Sequence, residues 1–195
     1  MSKIWVLPFW DKKLPENSHV IINTTTKSKN WSRGLSPMLV GQIYSDNGIA
    51  LNMENFWQYA KVYQHQVDEN GEPKLEYFNW KNKGYNKQFA DRYPAGKGAI
   101  PLYTWYCGEK LGYIDARKRL YVKYYGEAVV KTEAFKQLKE IWLNCLRNNQ
   151  DLVLQDFDAY NHRILNYSWD NILHDESRKM GHAFVLAKLL SEIKL

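Results

Sequence analysis

A chain of 195 residues fits one domain and is long enough to bury roughly 70% of its unfolded surface without disulfide or metal staples. Hydrophobic residues at 45% and charged residues at 25% exclude a disordered chain, and no stretch approaches the roughly 20 apolar residues of a membrane span. The net charge of +6 and isoelectric point near 9.1 favour phosphate-bearing partners through long-range attraction.

The first eight residues lack the apolar run and cleavage site of a signal peptide, so a cytoplasmic location is expected. The opening 1–50 segment reads as short strands and loops. Residues 4–9 and 19–25 are β-branched or aromatic runs bounded by Pro, Asn and Lys. Residues 30–37 have loop chemistry, with Ser, Gly and Pro around Arg33.

Residues 51–195 read as a helical core, making the whole a single domain, mainly α, an α+β fold with a few short strands. Asn52 is a predicted N-cap, followed by Met53, Phe56, Trp57, Ala60, Tyr63 and Val67 at helical spacing. Glu54, Gln58, Lys61 and His65 form a polar edge of the same predicted helix. Residues 68–104 have no sustained period and read as a long loop rich in Gly, Pro and aromatic residues. Further helices are predicted over 115–125, from a Thr132 cap with Phe135, Leu138, Ile141, Trp142 and Cys145 on one face, and over 175–193. Between the last two, residues 151–155 read as a short strand and 156–170 as a loop.

Phosphate-cradling Gly-rich loops, HExxH and the nucleophile elbow are all missing from the sequence, and the five His are scattered, so no metal site is expected. Cys107 and Cys145 stand far apart and read as reduced thiols. Aromatic residues reach 15%, and rings beyond a core's needs tend to line pockets. Carboxylates set among those rings are the candidates for chemistry. A first-turn Glu54 beside Phe56 and Trp57 suits acid/base work, or simply complements the helix dipole. The acids in 156–162 reach into a pocket or cap the next element. Gly96-Lys97-Gly98 offers backbone N–H groups beside a cation, a seat for a pyrophosphate or an ordinary basic turn. Arg117, Lys118, Arg119 and Lys123 interleave with Tyr121, Tyr124 and Tyr125, as nucleic-acid surfaces and solvated helices both do.

Taken in order, several segments resemble the NADAR family of enzymes associated with NAD and ADP-ribose. Leu35-Ser36-Pro37 stands where the family has Phe-Ser-Asn, and residues 53–63 resemble its Glu-His-Tyr-Phe-Gln-Ala-Gln-Lys-Phe helix, with Glu54 on the family's Glu. Residues 101–105 resemble its Pro-Leu-x-x-Trp step. Leu152-Val153 through Asp158, then Met180-Gly181, resemble its late strand, Asp and Leu-Gly helix. The chain departs from the pattern at Asn161-His162, at Arg178 and over 69–92.

The resemblance implies a NADAR-like helical fold and hydrolysis of an N-ribosyl bond, with no metal or redox cofactor. It implies Glu54 as the carboxylate at the sugar carbon, Asp158 as its partner, Trp57 and Trp105 stacking on substrate, and Lys61, Arg33 and Lys97 taking phosphates beside Ser36. Together with the basic charge, it makes ADP-ribosylated guanine in DNA the expected substrate, in the manner of an antitoxin opposing a DNA ADP-ribosyltransferase. The alternatives are a free ADP-ribosyl nucleotide as substrate, or a nucleic-acid-binding module without catalysis.

Overall fold

The computed structural model describes residues 1–194. Along the chain it forms β1 (Ile4–Pro8), β2 (His19–Asn23), β3 (Ile43–Ser45), β4 (Gly48–Ala50) and α1 (Met53–Tyr59). There follow β5 (Lys61–Val62), α2 (Leu75–Tyr85), β6 (Tyr103–Tyr106) and β7 (Glu109–Leu111). The remaining elements are α3 (Tyr113–Ala116), α4 (Lys123–Val129), α5 (Glu133–Arg147), β8 (Asp151–Asp156), α6 (Trp169–His174) and α7 (His182–Ser191). Helix makes up 38% and strand 17%, so the fold is α+β as expected, with a parallel three-stranded sheet beside small antiparallel ones. No helix among the described residues is long and apolar enough to cross a membrane.

The chain forms two compact units: Met1–Ser36 together with the stretch from Val129 onward, and Pro37–Ala128. In the first unit β8 lies between β1 and β2, parallel to both. Leu152, Val153 and Leu154 are consecutive and all fully buried, which an alternating half-exposed strand does not allow. Both faces of β8 are therefore covered, as parallel strands require. Helices α5 and α7 pack on this sheet. Aspartates mark both ends of the strand. Asp151 accepts from the Lys3 backbone N–H at 2.9 Å and the Trp5 indole at 2.7 Å, tying β1 to β8.

Helix α5 follows its sequence signals closely. Thr132 Oγ1 accepts from Phe135 N–H at 3.1 Å, and Phe135, Leu138, Trp142 and Cys145 form the buried stripe. Replacing Thr132 with alanine is expected to lower stability by about 1 kcal/mol. A urea midpoint that does not move would show that the cap contributes nothing.

The second unit has a tyrosine-rich core. Tyr59, Tyr77, Tyr85 and Tyr125 are almost fully buried, and the Tyr hydroxyls of this core find partners. Tyr77 donates to Ala60 O at 3.1 Å, Tyr59 to Asp91 at 2.9 Å, and Tyr106 and Tyr124 share a 2.6 Å hydrogen bond. Much of the aromatic surplus therefore builds a core with satisfied polar tips rather than pocket walls.

Several sequence expectations are corrected. Residues 31–35 form a 3-10 helix rather than a loop, with Asn30 capping it. Helix α1 stops at Tyr59 instead of running to Val67, because Lys61 and Val62 pair antiparallel with Thr104 and Tyr103. The β-branched Val62 suits that ladder better than another helical turn. Residues 68–104 are not one loop, since α2 occupies the middle of them. Its buried side is Tyr77, Lys81, Gly84 and Tyr85, so a lysine and a glycine hide a helical repeat. The basic helix predicted over 115–125 extends from Tyr113 to Val129 and takes a π-helical form at Arg117–Val122. The predicted 175–193 helix begins only at His182, with Gly181 as N-cap; the predicted 156–170 loop holds from residue 157 as far as Ser168, after which α6 begins.

Candidate functional site

Helix α1 divides its side chains between two tasks. Asn52 Oδ1 accepts from Asn55 N–H at 2.8 Å, fixing the first turn. Asn55 is fully buried and clamps the segment after α2: its Nδ2 donates to Lys87 O at 3.2 Å and Phe89 O at 3.1 Å, and its Oδ1 accepts from Asp91 N–H at 2.8 Å. Asn55 belongs to no sequence motif of its own. An Asn at helix spacing beside a deep apolar stripe is the signal that would have found it.

The other edge of α1 carries a polar chain. Gln58 Nε2 donates to Glu54 Oε1 at 2.9 Å, and Lys61 Nζ donates to Gln58 Oε1 at 2.7 Å. A carboxylate only accepts and an ammonium only donates, so this pair of neighbours fixes which way the Gln58 amide faces. The Lys61 ammonium also lies 5.0 Å from the centre of the Trp57 ring. Trp57 in turn meets Tyr121 edge-on at 5.2 Å and Tyr113 at 6.4 Å, and the Arg117 guanidinium lies 4.5 Å from the Tyr113 ring. Glu54, Trp57, Gln58 and Lys61 are all half-buried, the condition in which a charged group keeps solvent access while its field is screened less than in water. Carboxylate, amide, cation and aromatic face thus sit within one stretch of eight residues.

The other sequence candidates divide differently. Trp105 on β6 packs with Phe78 and Tyr103 against the Val62, Val67 and Tyr77 cluster, an aromatic group separate from that of Trp57. Lys97 is exposed in a turn whose flanking glycines both have positive φ, +99° at Gly96 and +87° at Gly98. Arg33, Ser36 and Asp158 belong to the first unit, whereas Glu54, Trp57, Lys61, Lys97 and Trp105 belong to the second. Arg33 is exposed on the 3-10 helix, and Ser36 is buried at its C-cap. Asp158 is half-buried, its carbonyl accepting from Gly181 N–H at 2.9 Å and its carboxylate 4.0 Å from Lys179.

The basic and aromatic stripe of 117–125 is less cationic at its surface than its sequence suggests. Arg117 is only 2% exposed, and Arg119 forms a two-pronged pair with Glu109 at 2.6 and 3.0 Å. Among the described residues, no cluster of three or more His, Cys, Asp or Glu gathers in a metal-holding arrangement. No family model, curated protein or solved structure matches the chain.

Proposed function

We propose that the second unit hydrolyses an N-glycosidic bond to ribose, as a NADAR-like enzyme acting on ADP-ribosylated guanine in DNA. One observation supports this reading above the others: the Glu54–Gln58–Lys61 chain running beside the Trp57 face. Cleavage of such a bond sends the C1′–N electron pair to the leaving base and builds positive charge on the sugar. A fixed carboxylate beside C1′ stabilises that charge and receives a proton from the attacking water, which supplies the new C1′–OH. Gln58 holds one Glu54 oxygen in place through its amide N–H. Lys61 orients Gln58 and contributes positive charge toward a phosphate, and Trp57 offers a plane for the base.

The burial of Arg117 and the pairing of Arg119 favour this reading over a non-catalytic nucleic-acid module, which needs an open row of cations. In the proposed reaction Glu54→Gln lowers turnover at least about 100-fold, the usual loss when an electrostatic stabiliser is removed. The assay is release of free ADP-ribose from guanine-ADP-ribosylated DNA and, in parallel, from the corresponding free ADP-ribosyl nucleotide. Turnover of the nucleotide alone would move the substrate to a metabolite. Absence of release from both, with salt-sensitive DNA binding indifferent to Glu54→Gln, would reject catalysis.

A further inference from the structure

The first unit contains a cavity of about 420 Å³ that includes none of the residues assigned to catalysis. Its size falls within the range of small-molecule sites, about 300–1,000 Å³. Four aromatic residues, Trp142, Tyr167, Trp169 and Phe184, contribute to its wall, and so do three cations, Lys3, Arg163 and Lys188. None of its lining residues is acidic. A concave site carrying cations and no carboxylate concentrates anions, because its low-dielectric walls focus the field.

The polar atoms of the wall point the same way. Trp142 is only 4% exposed, and its indole N–H is buried without a hydrogen-bond partner among the described residues. His162 Nδ1 is in the same condition. Buried polar atoms are nearly always satisfied, so an orphan on a residue that lines a cavity calls for a partner, and a bound molecule is one that can supply it. Burial, with the nearby Arg163 charge, pushes the His162 pKa down to about 4, so its ring is neutral near pH 7 and offers a hydrogen bond without charge. Arg163 is held in place, its Nε donating to Ile4 O at 2.8 Å and its guanidinium 5.3 Å from the Trp5 ring. Lys188 pairs with Glu192 at 3.0 Å. Lys3 and Arg163 form no ion pair among the described residues, although the field of the Asp151 carboxylate reaches both.

We propose that this cavity binds a small planar aromatic anion, its ring against Trp142, Tyr167 and Trp169 and its anionic group toward Lys3 and Arg163. The ring supplies apolar area to the aromatic wall and an acceptor for an indole N–H. The anionic group meets the cations. Neither half alone uses both features. The site is independent of the glycosidase chemistry proposed for the second unit.

Calorimetric titration of the full chain with adenosine 5′-monophosphate and with indole-3-acetate tests this, with adenosine and inorganic phosphate as the separated halves. At least one of the two ring-bearing anions is expected to bind one-to-one. Its separated half is expected to bind at least about 10-fold more weakly, since loss of the anion's hydrogen-bonded charge contacts is a loss of that order. Preference for the phosphate ester identifies a nucleotide-like ligand, and preference for the carboxylate identifies an aromatic acid. Lys3→Ala combined with Lys188→Ala changes exposed or half-exposed positions and is expected to weaken binding about 10-fold. Trp142→Phe, checked for retained folding by circular dichroism, is expected to weaken it several-fold through the missing donor. Glu54→Gln is expected to leave binding unchanged, which separates this site from the catalytic one. No saturable binding of either anion, or binding that both the lysine and the tryptophan variants leave intact, overturns the assignment.

Discussion

Replacing Asp156 with alanine is expected to destabilise the first unit by about 3–5 kcal/mol, the usual cost of removing one partner from a buried ion pair. Asp156 and His182 are 4% and 5% exposed, and Asp156 Oδ2 lies 2.9 Å from His182 Nδ1. The other ring nitrogen, Nε2, lies 2.9 Å from Thr24 O. Carboxylate and carbonyl oxygens can only accept, so both imidazole nitrogens carry protons and the ring is a cation. Asp156 also accepts from Phe157 N–H at 2.6 Å and from Ala183 N–H at 3.1 Å, in the first turn of α7. It therefore joins the end of the central strand to the start of the last helix. Gly181 is required at the same place, because a Cβ there would stand 2.2 Å from Asp156 Oδ2.

Burial pushes the Asp156 carboxyl upward, but the His182 charge and the hydrogen bonds outweigh it and hold the pKa below the usual carboxylate range. The unfolded chain, with its aspartates near pH 3.9, then binds more protons than the folded one at acid pH. The contribution of Asp156 is accordingly complete above the unfolded value and is lost as pH falls through the folded one. Urea unfolding at neutral pH should reveal the full loss in Asp156→Ala. As pH falls below the ordinary aspartate value, the difference between wild type and variant should narrow. A variant within about 1 kcal/mol of wild type at neutral pH would contradict a buried charged pair.

Gly84→Ala is expected to destabilise the second unit by about 3 kcal/mol or more, at the upper end of overpacking costs. Ordinarily alanine is the better helix residue by about 1 kcal/mol. Here the added Cβ would lie 2.1 Å from Tyr59 Cδ1, inside the ring rather than beside it. Tyr59 has little room to withdraw. It is 2% exposed, its ring centre is 4.5 Å from that of Trp80, and its hydroxyl is bound to Asp91. Steric cost therefore exceeds helix propensity, and the sign of the effect reverses. Thermal unfolding followed by near-ultraviolet circular dichroism reads it directly, since the aromatic core supplies that signal. A stabilised Gly84→Ala protein would mean that α1 and α2 do not approach as closely as described.

The elements that were legible in the sequence are those whose signals are local. Residues 4–9, 19–25 and 151–155 showed their β-branched runs, and Thr132 showed its cap. What was not legible depends on distant partners. Nothing in 61–62 indicates that Thr104 and Tyr103 take them into a ladder, so helix α1 was read too long. Helix α2 was lost because Lys81 and Gly84 occupy its inner face, one donating to Asn47 O at 3.2 Å and the other making room for a ring. The polar edge Glu54, Gln58 and Lys61 was read from helical spacing alone. Its hydrogen bonds form even though Lys61 lies on β5, because the first strand residue follows closely on the last turn. Trp142 shows the opposite case. Its position in an apolar stripe marks it as core, and no local feature reveals that it also walls a cavity.

The order of the parallel sheet has a consequence for how the chain matures. Its middle strand, β8, is the last of the three to be synthesised, so β1 and β2 have no bonding neighbour until some 130–150 residues later, roughly 7–30 s at ordinary translation rates. During that interval the whole of 37–128 has already left the ribosome, with its own pairings close in sequence and quick to close. Two nascent apolar ribbons waiting for a late third are open to association with other chains, which makes the ribosome-bound stage the one where chaperone contact matters most.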